Sequence, residues 1–165
     1  MSENRARKKA EEMINWNLVF PNQANPSGNM FGGDVLAIMD TTAAMAAKRF
    51  SEREVSTVTV EAVHFAKPIM VGDNIKTTAK VVAVGNTSMI VKADVYRDIG
   101  NNKLMRCVSA YLNFVAFDYQ RHPTQVPLLD LEDDDIIANK IALTIKANAQ
   151  QRQDAINQLL KANEG

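Results

Sequence analysis

From about Gly33 to Phe50 the chain carries no proline, is rich in Ala, Leu, Ile and Met, and closes on Lys48 and Arg49, cations that complement the negative end of a helix. Such a segment is one long helix, apolar on nearly every side, and it has to be surrounded. Four runs with strand chemistry follow it: "EVSTVTVEAVHFA", "NIKTTAKVVAV", "SMIVKADVYR" and "KLMRCVSAYLNFVAF". They are separated by "KPIMVGD", "GNT" and "DIGNN", whose Gly, Asn, Asp and Pro suit turns. An earlier strand, "NWNLVF", stops at Pro21. Strand, helix, then an antiparallel meander predicts a single α+β domain with a sheet curled around the helix. A sheet covers a helix over only part of its circumference. A second copy of the chain is therefore expected to bury the remainder, which makes a homodimer the minimal unit.

In "MIVKADVYR" the apolar Met89, Val91, Ala93 and Val95 alternate with Lys92 and Asp94, the pattern of a sheet with one wet face. "KLMRCVSAYLNFVAF" is apolar on both faces, which places it inside the sheet. The mostly charged first dozen residues are expected to form a short helix. Beyond "DYQRHPTQVPLLD" the alternation is lost, and the acidic run Glu132 to Asp135 opens a second helix with Ile137, Ile141, Ile145, Ile156 and Leu159 at helical spacing. The polar "NAQQRQ" interrupts that spacing and is expected as a break in a peripheral tail. The boundaries read as 1–13 for a polar segment, 14–120 for the domain, and 121–165 for linker and helical tail.

At 165 residues there is room for one domain with a real core. Lys plus Arg and Asp plus Glu both number 19, so no global basic field attracts nucleic acid or an anionic membrane. No apolar run approaches the roughly 20 residues of a bilayer span. The start, "MSENRARKKAEEM", is charged where a secretory signal is oily, so a cytoplasmic protein is expected, with no nucleic acid and no membrane among its partners. Cys107 is the only cysteine, which rules out an internal disulfide and a multi-cysteine zinc site and fits a reducing compartment. Its simplest role is that of a small core hydrophobe on a strand.

The stretch "NPSGNMFGGDVLAIMD" carries the chemistry. At 3.6 residues per turn Gly33, Ala37, Asp40, Ala44 and Ala47 form one slender stripe, while Val35, Ile38, Met39, Met45 and Phe50 fill the bulky sides. A carboxylate in such a place costs several kcal/mol unless it is neutralised, hydrogen-bonded or in use. Asp40 either anchors a neighbouring loop by accepting backbone N–H bonds or faces a ligand threaded along the stripe. Gly32 and Gly33 stand where a helix start leaves N–H groups without partners, a setting that suits an oxyanion; alone, they are equally a tight turn.

This stretch, with "VEAVHFAKPIMVGD" and "GNTSMIVKADVY" downstream, resembles the acyl-CoA thioesterase branch of the hotdog-fold superfamily, from about Val19 to Asp118. The resemblance implies hydrolysis of acyl-coenzyme A to a free acid and coenzyme A, in a homodimer or a trimer of dimers. It matches Asp40 to the catalytic carboxylate, as general base or nucleophile, and Asn25 to an amide that completes the site across the subunit boundary. Phe31 stands where many relatives carry His. Backbone N–H groups near Gly32 and Gly33 are expected to stabilise the oxyanion, although Gly33 lies some 10 Å from Asp40 along the axis. Coenzyme A is part of substrate and product, and no separate cofactor is implied. Its phosphates call for cations at the groove mouth, with Lys67, Arg97 and Arg106 as candidates against a background of solvated surface charge. Thr87 and Ser88 follow Gly85 at a turn and, on the resemblance, present backbone groups to pantetheine. His64 reads as a core or groove residue, and His122 as an inert linker residue beside Pro123. No pair of them has metal spacing, so no metal is expected.

Two other activities fit the same outline. A hotdog hydratase or dehydratase requires a His paired with an acid, and neither histidine sits on or beside the helix that holds Asp40. A non-catalytic acyl-CoA-binding dimer has no need of the Asp and Asn. The terminal segments are also expected to act as assembly devices. The preferred acyl chain is not encoded in any residue pattern.

Overall fold

The computed structural model describes residues 4–163. Strands β1 (Arg7–Lys8) and β2 (Met13–Leu18) precede helix α1 (Gly32–Ser51). Then come β3 (Glu54–Phe65), β4 (Asn74–Val84), β5 (Ser88–Asp98), β6 (Leu104–Phe117), β7 (Leu128–Leu129) and helix α2 (Ile136–Asn163). Five strands form one antiparallel sheet in the order β2-β4-β5-β6-β3. The expected α+β hotdog arrangement is present, with α1 against one face of that sheet.

The register explains the packing. Met89, Val91, Ala93 and Val95 on β5 all point at α1 and are buried, where they meet Val35, Met39, Ala43, Ala46, Ala47 and Phe50 of the helix. Ala at four neighbouring positions of α1 lets the sheet approach closely, while Phe50 and Met39 fill what remains. Cys107 is buried in this core, its thiol donating to the Met105 carbonyl at 3.3 Å, and burial raises its pKa. β6 lies between β5 and β3, inside the sheet as its composition requires.

Four expectations are corrected. The first dozen residues do not form a helix: among those described, Arg7 and Lys8 pair in parallel with Leu128 and Leu129, and Met1 to Glu3 fall outside the described residues. The second face of the sheet is not simply wet, for Asp94 is only 4% exposed and Val82, Ile90 and Tyr111 form a second apolar cluster with Ala142 of α2. The C-terminal helix is therefore a cover on the outer face rather than a peripheral tail. It is also unbroken through "NAQQRQ", because Gln, Ala and Arg are good helix formers and no Gly or Pro interrupts them. Its sheet contact runs through Ala138, Ala142 and Ile145, whereas Ile137 is 73% exposed.

Discrete polar contacts fasten this cover. Lys80 meets Asp135 at 2.6 Å, and the Asn139 amide donates at 2.8 Å to the carbonyl of Val82, the bulged residue of β4. Farther along, the Arg152 guanidinium donates to both carboxylate oxygens of Glu61 on β3 at 2.8 Å.

Candidate active site

The helix start is built by Phe31, which caps α1 in an extended conformation; its carbonyl accepts from the N–H groups of Asp34 at 3.0 Å and Val35 at 3.2 Å. The N–H groups of Gly32 and Gly33 have no partner among the described residues. Gly33 lets the Phe31 ring lie against the helix start: a Cβ there would stand 2.5 Å from the ring, which would have to swing away to admit it. The ring itself is more than half exposed.

Asn25 reaches the same place from a tight turn. Its Oδ1 accepts from the N–H of Ser27 at 3.0 Å and of Asn29 at 3.1 Å, and Gly28 closes the turn at φ +82°. The side-chain oxygen is thus committed to holding the turn, which leaves the Nδ2 amide free to donate outward. Asn25, Gly32, Phe65, Lys67 and Pro68 bound an open cleft of about 410 Å³. Phe65 lies 3.5 Å from where a Cβ on Gly32 would be, so the far end of β3 abuts the helix start.

Asp40 is elsewhere. Eight residues along α1 from Gly32 place it roughly 12 Å down the axis, outside the cleft that Asn25 lines. It is half-buried, and the Thr57 hydroxyl of β3 donates to its Oδ1 at 2.7 Å. No backbone N–H among the described residues donates to it, so it does not anchor a loop. Oδ2 keeps its lone pairs for another partner. Thr57 went unrecognised in the sequence, because what marks it is its position opposite Asp40 across two elements, and no spacing along the chain reveals that.

The remaining candidates divide between the two ends. Lys67 is exposed on the cleft rim. The Arg97 guanidinium is committed within the chain, with Nε 2.7 Å from Asp73 Oδ2 and Nη2 donating to Oδ1 at 3.1 Å, so it braces the turn before β4. Arg106 is exposed and 4.0 Å from Asp94. His64 is exposed on β3 opposite Ser109, so of its two readings, core or groove, the core one does not hold. His122 lies beside Asp118 in the loop after β6. Thr87 and Ser88 sit at the other end of the sheet: the Thr87 carbonyl accepts from Ala116 at 2.9 Å, and Ser88 is opposite Val115, itself opposite Ser56. The chain therefore gathers Asn25, Phe31, Gly32, Gly33 and Lys67 at one end of α1. Asp40 and Thr57 lie farther along, toward the end of the sheet that carries Thr87 and Ser88.

A sheet wrapped on one helix, with a carboxylate midway along the helix and free N–H groups at its start, is the hotdog arrangement, and residues 27–103 match the family model of the thioesterase superfamily. An uncharacterized acyl-CoA thioester hydrolase of Zymomonas mobilis is 33% identical over 111 residues, 67% of this chain and 74% of that one. The chain belongs to the acyl-CoA thioester hydrolases, whose reaction is thioester hydrolysis. Among solved structures, an acyl-CoA hydrolase of Staphylococcus aureus in complex with butyryl coenzyme A and coenzyme A is 29% identical with a TM-score of 0.89, covering 96% of this chain and 99% of that one. Alanine variants of the S. aureus enzyme have been solved at an asparagine, an aspartate and a threonine spaced 15 and 17 residues apart, the spacing of Asn25, Asp40 and Thr57 here. A hexameric acyl-CoA thioesterase is 28% identical with a TM-score of 0.84, covering 90% of this chain and 97% of that one.

Proposed function

We propose that the protein hydrolyses acyl-CoA in a site completed by two protomers, with Asp40 and Thr57 from one and Asn25, Gly32 and Gly33 from the other. The observation that carries this is the separation just described: the carboxylate and the free donors are too far apart on one chain to act on one carbonyl. α1 is a continuous helix, so its glycine end cannot fold back over Asp40. β3 offers the means of joining the halves. It is an edge strand of 12 residues, and its Val58 and Phe65 are more than half exposed. Long edges of this kind invite pairing. Antiparallel pairing of β3 with a second copy brings the Phe65 end of one protomer to the Thr57 end of the other. The Asn25 cleft then meets Asp40.

In that arrangement Gly32 and Gly33 donate to the thioester oxygen as it gains charge, and the Asn25 amide orients the carbonyl or the water. Asp40, held by Thr57, takes the proton from water as it adds to the carbonyl carbon, or attacks that carbon directly. In the first route the C–S bond then breaks, the thiolate of coenzyme A receives the proton, and the acid is released; in the second the C–S bond breaks to leave an acyl–Asp40 anhydride, and its hydrolysis by water releases the acid, restores the carboxylate and gives the thiolate its proton. Lys67 on the rim supplies a cation for the phosphates. The hexameric neighbour supports a trimer of such dimers. Asp40→Ala and Asn25→Ala should each lose nearly all turnover while keeping the native circular dichroism. Co-expressed as mixed dimers, the two inactive chains should recover about a quarter of native activity, since half of the dimers regain one intact site. Mixed dimers with no recovery would discard the shared site, and full activity of Asp40→Ala would discard the role of the carboxylate.

A further inference from the structure

The outer-face helix does not stop where the sheet stops. Counting from Ala142, the sheet-facing stripe of α2 runs through Ile145, Ala149 and Gln153, and Arg152 beside it is tied to Glu61 on the edge strand β3. Ile156 and Leu160 continue that stripe in phase, 14 and 18 residues after Ala142. Yet Ile156 is 42% and Leu160 59% exposed, and Leu159 beside them 72%. A helix that keeps its apolar face turned toward a sheet for about two and a half turns past the edge strand fits a sheet that goes on beyond that edge. The 11 residues after Arg152 extend roughly 16 Å, enough to overlie about three further strands. The same region of the outer face also holds a cavity. Val58 of β3, Ile90 and Ile145 give this cavity of about 350 Å³ its apolar wall, Thr59 and the Arg152–Glu61 pair give it a polar one, and Asn113 Oδ1 is buried there with no hydrogen-bond partner among the described residues.

We infer that residues 154–163 are an exchanged arm: in the dimer joined at β3, the end of each α2 crosses the seam and packs Ile156 and Leu160 into the outer-face cavity of its partner. The occupant is a second copy because arm and cavity lie on the same face at the same unpaired edge, and a two-fold axis through β3 brings each to the other. Asn163, on the same stripe, carries an amide of the kind that Asn113 Oδ1 lacks. The inference rests on the β3 dimer proposed above and goes beyond it, since the catalytic residues lie on the opposite face of the sheet. The arm thereby ties the two halves of each catalytic centre together from behind.

Two single variants test this, Leu160→Cys on one tagged chain and Val58→Cys on another, co-expressed and treated with a short bismaleimide. Cys107 is buried and leaves the engineered thiols as the reactive pair. A covalent dimer carrying both tags is expected from the mixture and from neither variant alone. Sedimentation of the same samples separates the two readings. Dimers without the cross-link overturn the arm and leave the β3 seam standing, whereas monomers overturn both. Removal of residues 154–163 should in addition weaken dimerisation at least tenfold, and an unchanged dissociation constant counts against the arm.

Discussion

Two long helices lie on opposite faces of the same five-stranded sheet, and the sheet seals only one of them. α1 buries eight of its 20 residues, whereas α2 buries one, Ala142, of 28. The difference lies in how each is held. α1 is fixed by exclusion of water over a continuous apolar surface, and α2 by a small apolar patch around Ala142 and separate polar contacts along a surface it only partly covers. A helix of the first kind fails all at once, and one of the second kind can lose a contact and stay.

The contrast is breakable at graded cost. Phe50→Ala, which empties a fully buried site under α1, should destabilise the fold by about 3–5 kcal/mol in urea unfolding. A loss near the size of a surface substitution would mean that the inner face is not the main core. Lys80 comes next. Burial lowers its pKa, but the Asp135 carboxylate outweighs that and leaves it above the ordinary lysine value. A raised folded pKa gives stability that is complete below the unfolded value and is lost as pH climbs through the folded one. Native protein should therefore lose about 1 kcal/mol more than Lys80→Met between about pH 9 and pH 12. Parallel curves would remove that ion pair from the forces holding α2. Arg152→Ala should be the mildest, below about 1 kcal/mol and smaller still in high salt, because the guanidinium is exposed. A large, salt-insensitive loss would show α2 to be sealed much as α1 is.

What was legible in the sequence follows the same division. α1 ends within a residue of the expected limits because glycines open it, two cations close it and nothing inside breaks it. β4 occupies the same residues as its run, "NIKTTAKVVAV". The outer face was not legible. Lys92 and Asp94 have the alternation of a wet face, and nothing in that alternation shows that a helix a third of the chain away returns to cover it. The two-residue ribbon of Arg7 and Lys8 with Leu128 and Leu129 is too short to leave any pattern. At the site, Asp40 and the glycines stand out because a carboxylate and bare backbone are anomalous in an oily helix. Thr57 does not, since threonine is ordinary in a strand. The two-ended distribution of these residues needed coordinates, because it depends on which strand end lies beside which helix end.

The missing side chain of Gly33 has one more consequence. Its backbone is ordinary right-handed helix, so the missing methyl serves no torsional need; it makes a flat socket for the ring two positions earlier. Such a socket selects for planarity and is indifferent to the atoms in the plane. A benzene ring and an imidazole seat in it alike, one inert and one able to carry a proton. A single codon at position 31 can thus change the chemical repertoire of the doorway while the helix behind it stays as it is.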